Sequence, residues 1–227
     1  MELPTIFISA ITGFLSGLLL SIPVGPVNLT IMNEGARCGF RYAALISAGA
    51  LVMEVIYCSL AFTGFASFFS HGILPDLMEV FTFGFLLFLG IKFLTSKNVR
   101  TATPREMRFE AKLNPTSGFM TGFVRVMGNV GVFLFWIVLA GVFYNHGWVN
   151  SSLTSKSVCV LGVAVGTGLW FFGLAYAVSR GHKKFSEITL LRMERGSGIG
   201  LLALALYRGC TIAYRINQSH PFLNHHF

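Results

Sequence analysis

Residues 12–28, which read TGFLSGLLLSIPVGPVN, carry the two features that decide the fold. The stretch begins as an apolar helix pattern in which Gly13 and Gly17 are four residues apart, a spacing that lets membrane helices pack closely. It ends in Pro23-Val24-Gly25-Pro26, where the prolines remove backbone N–H donors and disfavour helix at the residues before them. The stretch therefore predicts an apolar helix that is interrupted near its carboxyl end.

The composition of the whole chain is that of a membrane protein. Of 227 residues, 54% are hydrophobic and only 11% are charged, whereas a soluble domain has about 25% charged residues. A membrane-spanning helix needs about 20 mostly apolar residues. The sequence predicts an all-α integral membrane fold of six transmembrane helices, at 5–22, 43–65, 77–94, 118–144, 157–179 and 196–214.

Positive charge alternates between the connections of this pattern. Basic residues are concentrated after the first, third and fifth runs, around Arg37 and Arg41, in 95–116 and in 180–195, and the other two connections contain few. Because basic loops stay in the cytoplasm, both termini are predicted to lie outside. The formal net charge of +8 is thus explained by membrane topology. The predicted surroundings of the chain are lipid, and no nucleic-acid partner is predicted.

Three basic residues fall inside or at the ends of apolar runs, namely Lys92, Arg125 and Arg208. A charge at mid-membrane costs at least about 2.5 kcal/mol. Such side chains usually extend from a helix end toward the membrane surface, which is the interpretation adopted for all three.

The two halves of the chain resemble each other. Residues 12–18 align with 117–123, with both glycines and the phenylalanine in register, and each match continues into a helix-breaking sequence, at 23–28 and 128–131. Three helices per repeat is an odd number, so the second copy must be inverted in the membrane. The predicted divisions are a first repeat at 1–94, a basic cytoplasmic loop at 95–116, a second repeat at 117–216 and a tail at 217–227.

The interrupted first helix predicts a binding site. A break in a membrane helix persists only where it is buried in protein or lines an aqueous cavity. The helix that starts again near Asn28 would present free N–H donors and partial positive charge to an anionic group such as a substrate carboxylate. Pro23, Gly25, Pro26 and Asn28 are therefore predicted to contact substrate, and a proline kink without a ligand is the alternative.

Glu54 lies near the middle of the second predicted span, where an ionised carboxylate must have a partner or hold a proton. It is the candidate for proton coupling, and the alternative is a structural hydrogen bond to a neighbouring helix. Tyr57, one turn later, shares its helix face and is predicted to contact the ligand or Glu54. Asn129, at the second break, is a further candidate substrate contact, or else joins two helices.

The chain offers no enzyme-like arrangement. The spans contain no paired carboxylates, no His-rich helix and no Ser/His or Cys/His set. The four cysteines occur singly, without metal-ligand spacing. No metal, cofactor or catalytic residue is predicted.

The motifs resemble the LysE/RhtB family of amino acid exporters, six-helix secondary transporters of the bacterial inner membrane. The resemblance rests on the Pro23-Val24-Gly25-Pro26 motif, on Gly35-Ala36-Arg37-Cys38-Gly39, and on Gly49 with Glu54, where the family usually has Asp. In the fourth helix, Asn129-Val130-Gly131 stands where the family has Asn-Pro-Lys, ahead of the patch Leu134-Phe135-Trp136. The asparagine and the patch are kept, whereas the proline and the lysine are absent.

The resemblance implies a secondary transporter of the cytoplasmic membrane that exports an amino acid or derivative against proton entry. Its partners would be a small-molecule substrate and membrane lipid, and the small size of the chain is compatible with a homodimer. The absent lysine favours an alternative, a non-transporting membrane protein that scaffolds an assembly. A metal-cation exporter is a further alternative, which a single membrane carboxylate disfavours.

Overall fold

A computed structural model describes residues 3–23, 25–65, 74–97, 102–180 and 187–219. Every regular element in these ranges is helical. The helices are α1 (Leu3–Ser21), α2 (Pro26–Cys38), α3 (Phe40–Leu60, extended by a π-helical turn at Ala61–Phe65), α4 (Leu74–Leu94), α5 (Pro104–Leu113), α6 (Gly118–Met127), α7 (Val130–Asn145), α8 (Leu153–Ser179) and α9 (Glu187–Ser219). The all-helical prediction is thus confirmed for the described residues.

Both predicted helix breaks are present. The first helix ends at Ser21, and the next begins at Pro26, whose missing N–H costs nothing in the first turn of a helix. The second break, at Gly128 and Asn129, separates α6 from α7, and the two helix axes differ by 64°. In the register of the sequence repeat, Pro23 corresponds to Gly128, so the breaks fall at matching places in the two halves.

Glycine contacts bring distant helices together in pairs. A Cβ atom built on Gly13 or Gly17 of α1 would overlap the backbone of α8 at Cys159 or Val163. In the same way, a Cβ atom on Gly122 of α6 would overlap the Ile46 carbonyl oxygen of α3, and one on Gly49 of α3 would overlap the Phe119 carbonyl oxygen. The repeated glycines are therefore where α1 packs against α8 and α6 packs against α3. The third pair is α4 with α9, which meet at Gly90 and Gly198.

The number of membrane spans remains a prediction. By length and composition, three helical stretches in the described ranges can cross a membrane, at Pro4–Ser21, Phe40–Gly64 and Leu153–Ser179, and the bent pair α6–α7 would make a fourth. The predicted third and sixth spans lie on α4 and α9, which do not qualify on the residues described. The apolar part of α4 that can be assessed is short, Phe83–Leu94, while α9 carries charged residues in its first turns. Residues 66–73 and 220–227 lie outside the described ranges, as does most of the tail predicted at 217–227.

The basic loop contains a short helix, α5, that is fixed to the second break. Thr103 and Glu106 form a reciprocal capping box at its start. At its other end, Glu110 accepts a 2.6 Å hydrogen bond from the guanidinium of Arg125 on α6. Phe109 packs against Gly128, where an added Cβ would lie 3.1 Å from the ring. Arg125 therefore does not extend to the membrane surface but pairs with a carboxylate of the loop helix.

We expect this ion pair to contribute measurably to stability because each side chain is about four-fifths buried, with exposures of 20% and 18%. In a double-mutant cycle on Glu110→Gln and Arg125→Gln, the coupling energy should be about 1.5–3 kcal/mol, the range for hydrogen bonds that involve charged groups. The measurement is thermal unfolding of the purified protein. The pair of Glu34 and Arg37, at 3.2 Å, in which the Arg37 side chain is 77% exposed, provides the comparison cycle and should give under about 1 kcal/mol. Equal coupling in the two cycles would contradict a docked α5.

Candidate substrate cavity

A cavity of about 960 Å³ lies where the two helix breaks meet. Its walls come from the carboxyl end of α1, the start of α2, the first half of α7, the carboxyl half of α4 and the amino-terminal half of α9, with one residue of α3. The volume is within the range of about 300–1,000 Å³ typical of small-molecule sites. Most of the wall is apolar, so the few polar groups in it determine which ligand can be oriented there.

Glu54 is the residue that α3 contributes to the cavity. Its Oε2 accepts a hydrogen bond of 2.6 Å from the indole Nε1 of Trp136 on α7. The carboxylate therefore has a donor partner on a helix of the other half of the chain, as a membrane carboxylate requires. Part of its surface remains on the cavity, where it can meet a solute or a proton.

The carbonyl groups exposed at the first break are bonded by Asn28. Its Nδ2 donates to the Ser21 and Pro23 carbonyl oxygens, at 2.8 Å each, and its Oδ1 accepts from Nε1 of Trp170 on α8, at 3.2 Å. The side chain is 3% exposed and is not among the lining residues of the cavity. The Asn28 side chain thus satisfies two carbonyl groups of the break and links the break to α8 through Trp170.

Tyr57 has the equivalent role at the second break. Its hydroxyl group donates to the carbonyl oxygen of Met127, the last residue of α6, at 2.8 Å. The ring packs against Phe133 of α7, with 5.0 Å between the ring centroids. Tyr57 therefore satisfies a carbonyl group that the break leaves without its helical partner, and it too lies outside the cavity lining.

The amino-terminal ends of α2 and α7 face the cavity instead. Gly25 and Pro26 line it at the start of α2, and Asn129, Gly131 and Val132 line it at the start of α7. Neither N-cap residue, Gly25 or Asn129, caps its helix through a side-chain hydrogen bond. Two positive helix-dipole ends therefore point toward one space, a favourable environment for an anionic group.

Replacing Tyr57 by Phe should destabilise the protein because the Met127 carbonyl oxygen would lose its donor in a partly buried place. A buried acceptor left without a partner costs about 1–3 kcal/mol. Thermal unfolding of the purified variant measures this cost. Tyr176→Phe is the control, since Tyr176 is half exposed on α8 and should change the melting temperature little. Equal melting temperatures for wild type and Tyr57→Phe would show that this hydrogen bond contributes nothing to stability.

The cavity includes five of the seven residues predicted from the sequence: Pro23, Gly25, Pro26, Glu54 and Asn129. Asn28 and Tyr57 lie behind the wall, bonded to backbone atoms, and their contact with substrate remains a prediction. Two further lining residues, Trp136 and Lys92, were not among the residues predicted for the site; the sequence had placed Trp136 in an apolar patch and Lys92 at a helix end. Glu194, which is 2% exposed beside the lining residue Met193, was not predicted either.

Metal-ligand chemistry has no support in the part of the chain that the structure describes, where no group of three or more His, Cys, Asp or Glu residues is placed to hold an ion. The four cysteines are free thiols, two of them buried.

Comparison with known proteins gives one family and one relative. The model of the LysE type translocator family matches residues 18–209. The chain is also 28% identical, over 194 residues, to a Bacillus subtilis (strain 168) protein named "Putative amino acid efflux protein YcgF", covering 85% of this chain and 91% of the relative. No solved structure matches the chain significantly.

Proposed function

Because this chain belongs to the LysE type translocator family, we propose that it exports an amino acid or a close derivative in exchange for protons. The family places it among membrane transport proteins, and its similarity to a protein named for amino acid efflux supports an exporter. The substrate class, the coupling ion and the bacterial inner membrane as its location are parts of the proposal.

The position of the cavity supports uptake of the solute from the cytoplasm. Its lining residues lie on the stretches of α1, α4 and α9 that adjoin the basic connections of the chain. Basic connections face the cytoplasm under the positive-inside rule. The cavity then lies in the cytoplasmic half of the protein. A cavity at this position corresponds to the inward-facing state of an exporter, in which solute binds from the cytoplasm.

Near the opposite, amino-terminal end of α1, hydrogen bonds between polar groups join α1 to α8 and to the connection before α8. Ser9 Oγ lies 2.7 Å from Ser155 Oγ of α8 and donates to the Trp148 carbonyl oxygen at 2.9 Å. Ser155 Oγ also accepts from the Asn150 backbone N–H at 3.1 Å. Ser9 is fully buried. Opening toward the outside would require these hydrogen bonds to separate, while the cytoplasmic side closes.

The helix pairing supports an inverted repeat of three helices. If the two halves are related by symmetry, a contact between the first helix of one half and the second helix of the other should occur twice, with the halves exchanged. The pairs α1 with α8 and α6 with α3 follow this rule, and α4 packs against α9 as third against third. A relation of this kind lets two similar states alternate by rocking around a central site.

A single carboxylate provides a simple mechanism for coupling. Glu54 can bind the ammonium group of a solute only when ionised, and it can carry a proton only when that position is free. The solute leaving outward and the proton entering inward would use the same group in turn. Competition for one group couples the two movements, with one proton per solute, provided that the empty protein returns only with Glu54 protonated.

The observation that carries this proposal is Glu54 in the cavity wall, hydrogen-bonded across the halves to Trp136. The test is efflux of radiolabelled amino acids from proteoliposomes under an imposed pH gradient, acid outside. We expect acid outside to accelerate efflux of at least one amino acid several-fold over efflux without the gradient. No flux of any amino acid from a folded preparation would contradict the proposal and favour the scaffold.

A further inference from the structure

The cavity contains a second charged side chain that the proton exchange does not use. Lys92 lies in the last turn of α4, and among the described lining residues it is the one basic side chain, as Glu54 is the one acidic side chain. A basic and an acidic residue therefore line the same space from two different helices.

The side chain of Lys92, which is exposed, turns back along its own helix. A lysine that extends to the membrane surface from the carboxyl end of α4 would point onward, toward the loop that follows. Instead, Nζ of Lys92 lies 5.6 Å from the ring centroid of Phe88, one turn earlier in the same helix. Phe88 is itself a lining residue and is 59% exposed, so the charge lies over a residue at the open part of the cavity wall.

The remaining wall determines what else a solute can carry. It is built largely of aromatic and aliphatic side chains, chiefly Phe85, Phe88, Leu89, Phe135, Leu201 and Leu204. A solute with one positive and one negative group would find a partner for each. A second ammonium group would find no further carboxylate among the described lining residues, and a second carboxylate would have to share Lys92 and the two helix ends with the first, so either additional charge is unfavourable.

We infer that the cavity binds a neutral amino acid with an apolar side chain, its carboxylate on Lys92 and its ammonium group on Glu54. The inference rests on the proposed function and names the substrate class of the same site. It also assigns to Lys92 a substrate contact that the sequence analysis did not give it. Lysine and glutamate are rejected because each brings an additional charge.

The test compares binding by wild type, Lys92→Met and Lys92→Arg, using ligand-induced thermal stabilisation of the purified protein. Leucine and leucinol, which lacks the carboxylate, are the probes. Loss of a charged hydrogen bond should weaken leucine binding about 10-fold to 100-fold in Lys92→Met. Lys92→Arg should retain most of the affinity, and leucinol should bind wild type and Lys92→Met equally. Lys156→Met is the matched control because Lys156 also lies over an aromatic ring, 5.8 Å from Tyr144, but does not line the cavity.

Efflux from proteoliposomes separates this inference from the proposed function. Wild type should transport leucine and phenylalanine at least about 10-fold faster than lysine or glutamate, by analogy with the cost of an unpaired buried charge. Amino acid efflux that Lys92→Met leaves unchanged, or efflux faster for lysine than for leucine, would overturn the inference and leave the exporter intact. Absence of all amino acid flux would overturn both.

Discussion

Glu54→Gln should abolish the acceleration of efflux by an acid exterior. The amide keeps the size of the side chain, but it cannot carry a proton through the cycle or offer a negative charge to an ammonium group. Loss of a charge-assisted hydrogen bond of about 1.5–3 kcal/mol alone weakens binding about 10-fold to 100-fold. The measurement is efflux of radiolabelled leucine with and without the pH gradient, and the two rates should be equal in the variant.

A matched substitution separates this effect from a change in surface charge. Glu34 lies on α2 and pairs with Arg37 at 3.2 Å, outside the cavity lining. Glu34→Gln should transport leucine at the wild-type rate and respond to the gradient as wild type does. A Glu54→Gln variant that still responds to the gradient would remove Glu54 from the coupling mechanism, whatever the rate of transport.

Gly122→Ala should lower the stability of the protein strongly. The new Cβ would overlap the Ile46 carbonyl oxygen, and backbone cannot rotate away as a side chain can. Overpacking costs about 1–3 kcal/mol where side chains can shift, and we expect at least the upper end here. For a chain of this size, that corresponds to a melting temperature lower by about 10 °C. Gly49→Ala should lower the melting temperature by a similar amount, because its Cβ would overlap the Phe119 carbonyl oxygen.

The chain offers a control for the loss of glycine itself. Gly173 lies within α8, and a Cβ atom there would meet nothing within 4 Å. Gly173→Ala should be neutral or stabilising because alanine favours the helix. Thermal unfolding of the three variants is the measurement. If Gly122→Ala were as stable as Gly173→Ala, the close packing of α3 and α6 would be wrong.

The local features of this fold could be predicted from the sequence. Pro23 and Pro26 indicate the first break by their chemistry alone, and alignment with 117–123 indicates the second, which lies at Gly128 and Asn129. The glycines of the repeat were expected to permit close packing, and they do contact other helices. The partner of each helix could not be predicted, because contacts between α1 and α8 join residues far apart in the chain and depend on tertiary packing.

The residues of the candidate site could likewise be predicted only in part. Glu54 could be identified because a carboxylate in an apolar run needs a partner, but Trp136 as that partner depends on the bend between α6 and α7. The structure places Asn28 and Tyr57 on orphan carbonyl groups, an outcome that no spacing rule distinguishes from ligand binding. Lys92 at a helix end has the pattern of a surface lysine, and only the packing of α4 beside α7 and α9 brings it to the cavity.

The most direct test of the account is whether solute and proton move in opposite directions on the same carboxylate. Proteoliposomes loaded with leucine and a pH-sensitive dye are diluted into leucine-free buffer of equal pH, with the membrane potential held at zero. The lumen should acidify as leucine leaves, and proteoliposomes with Glu54→Gln should show no acidification. Leucine efflux by wild type without proton entry, or acidification that persists in Glu54→Gln, would contradict this mechanism.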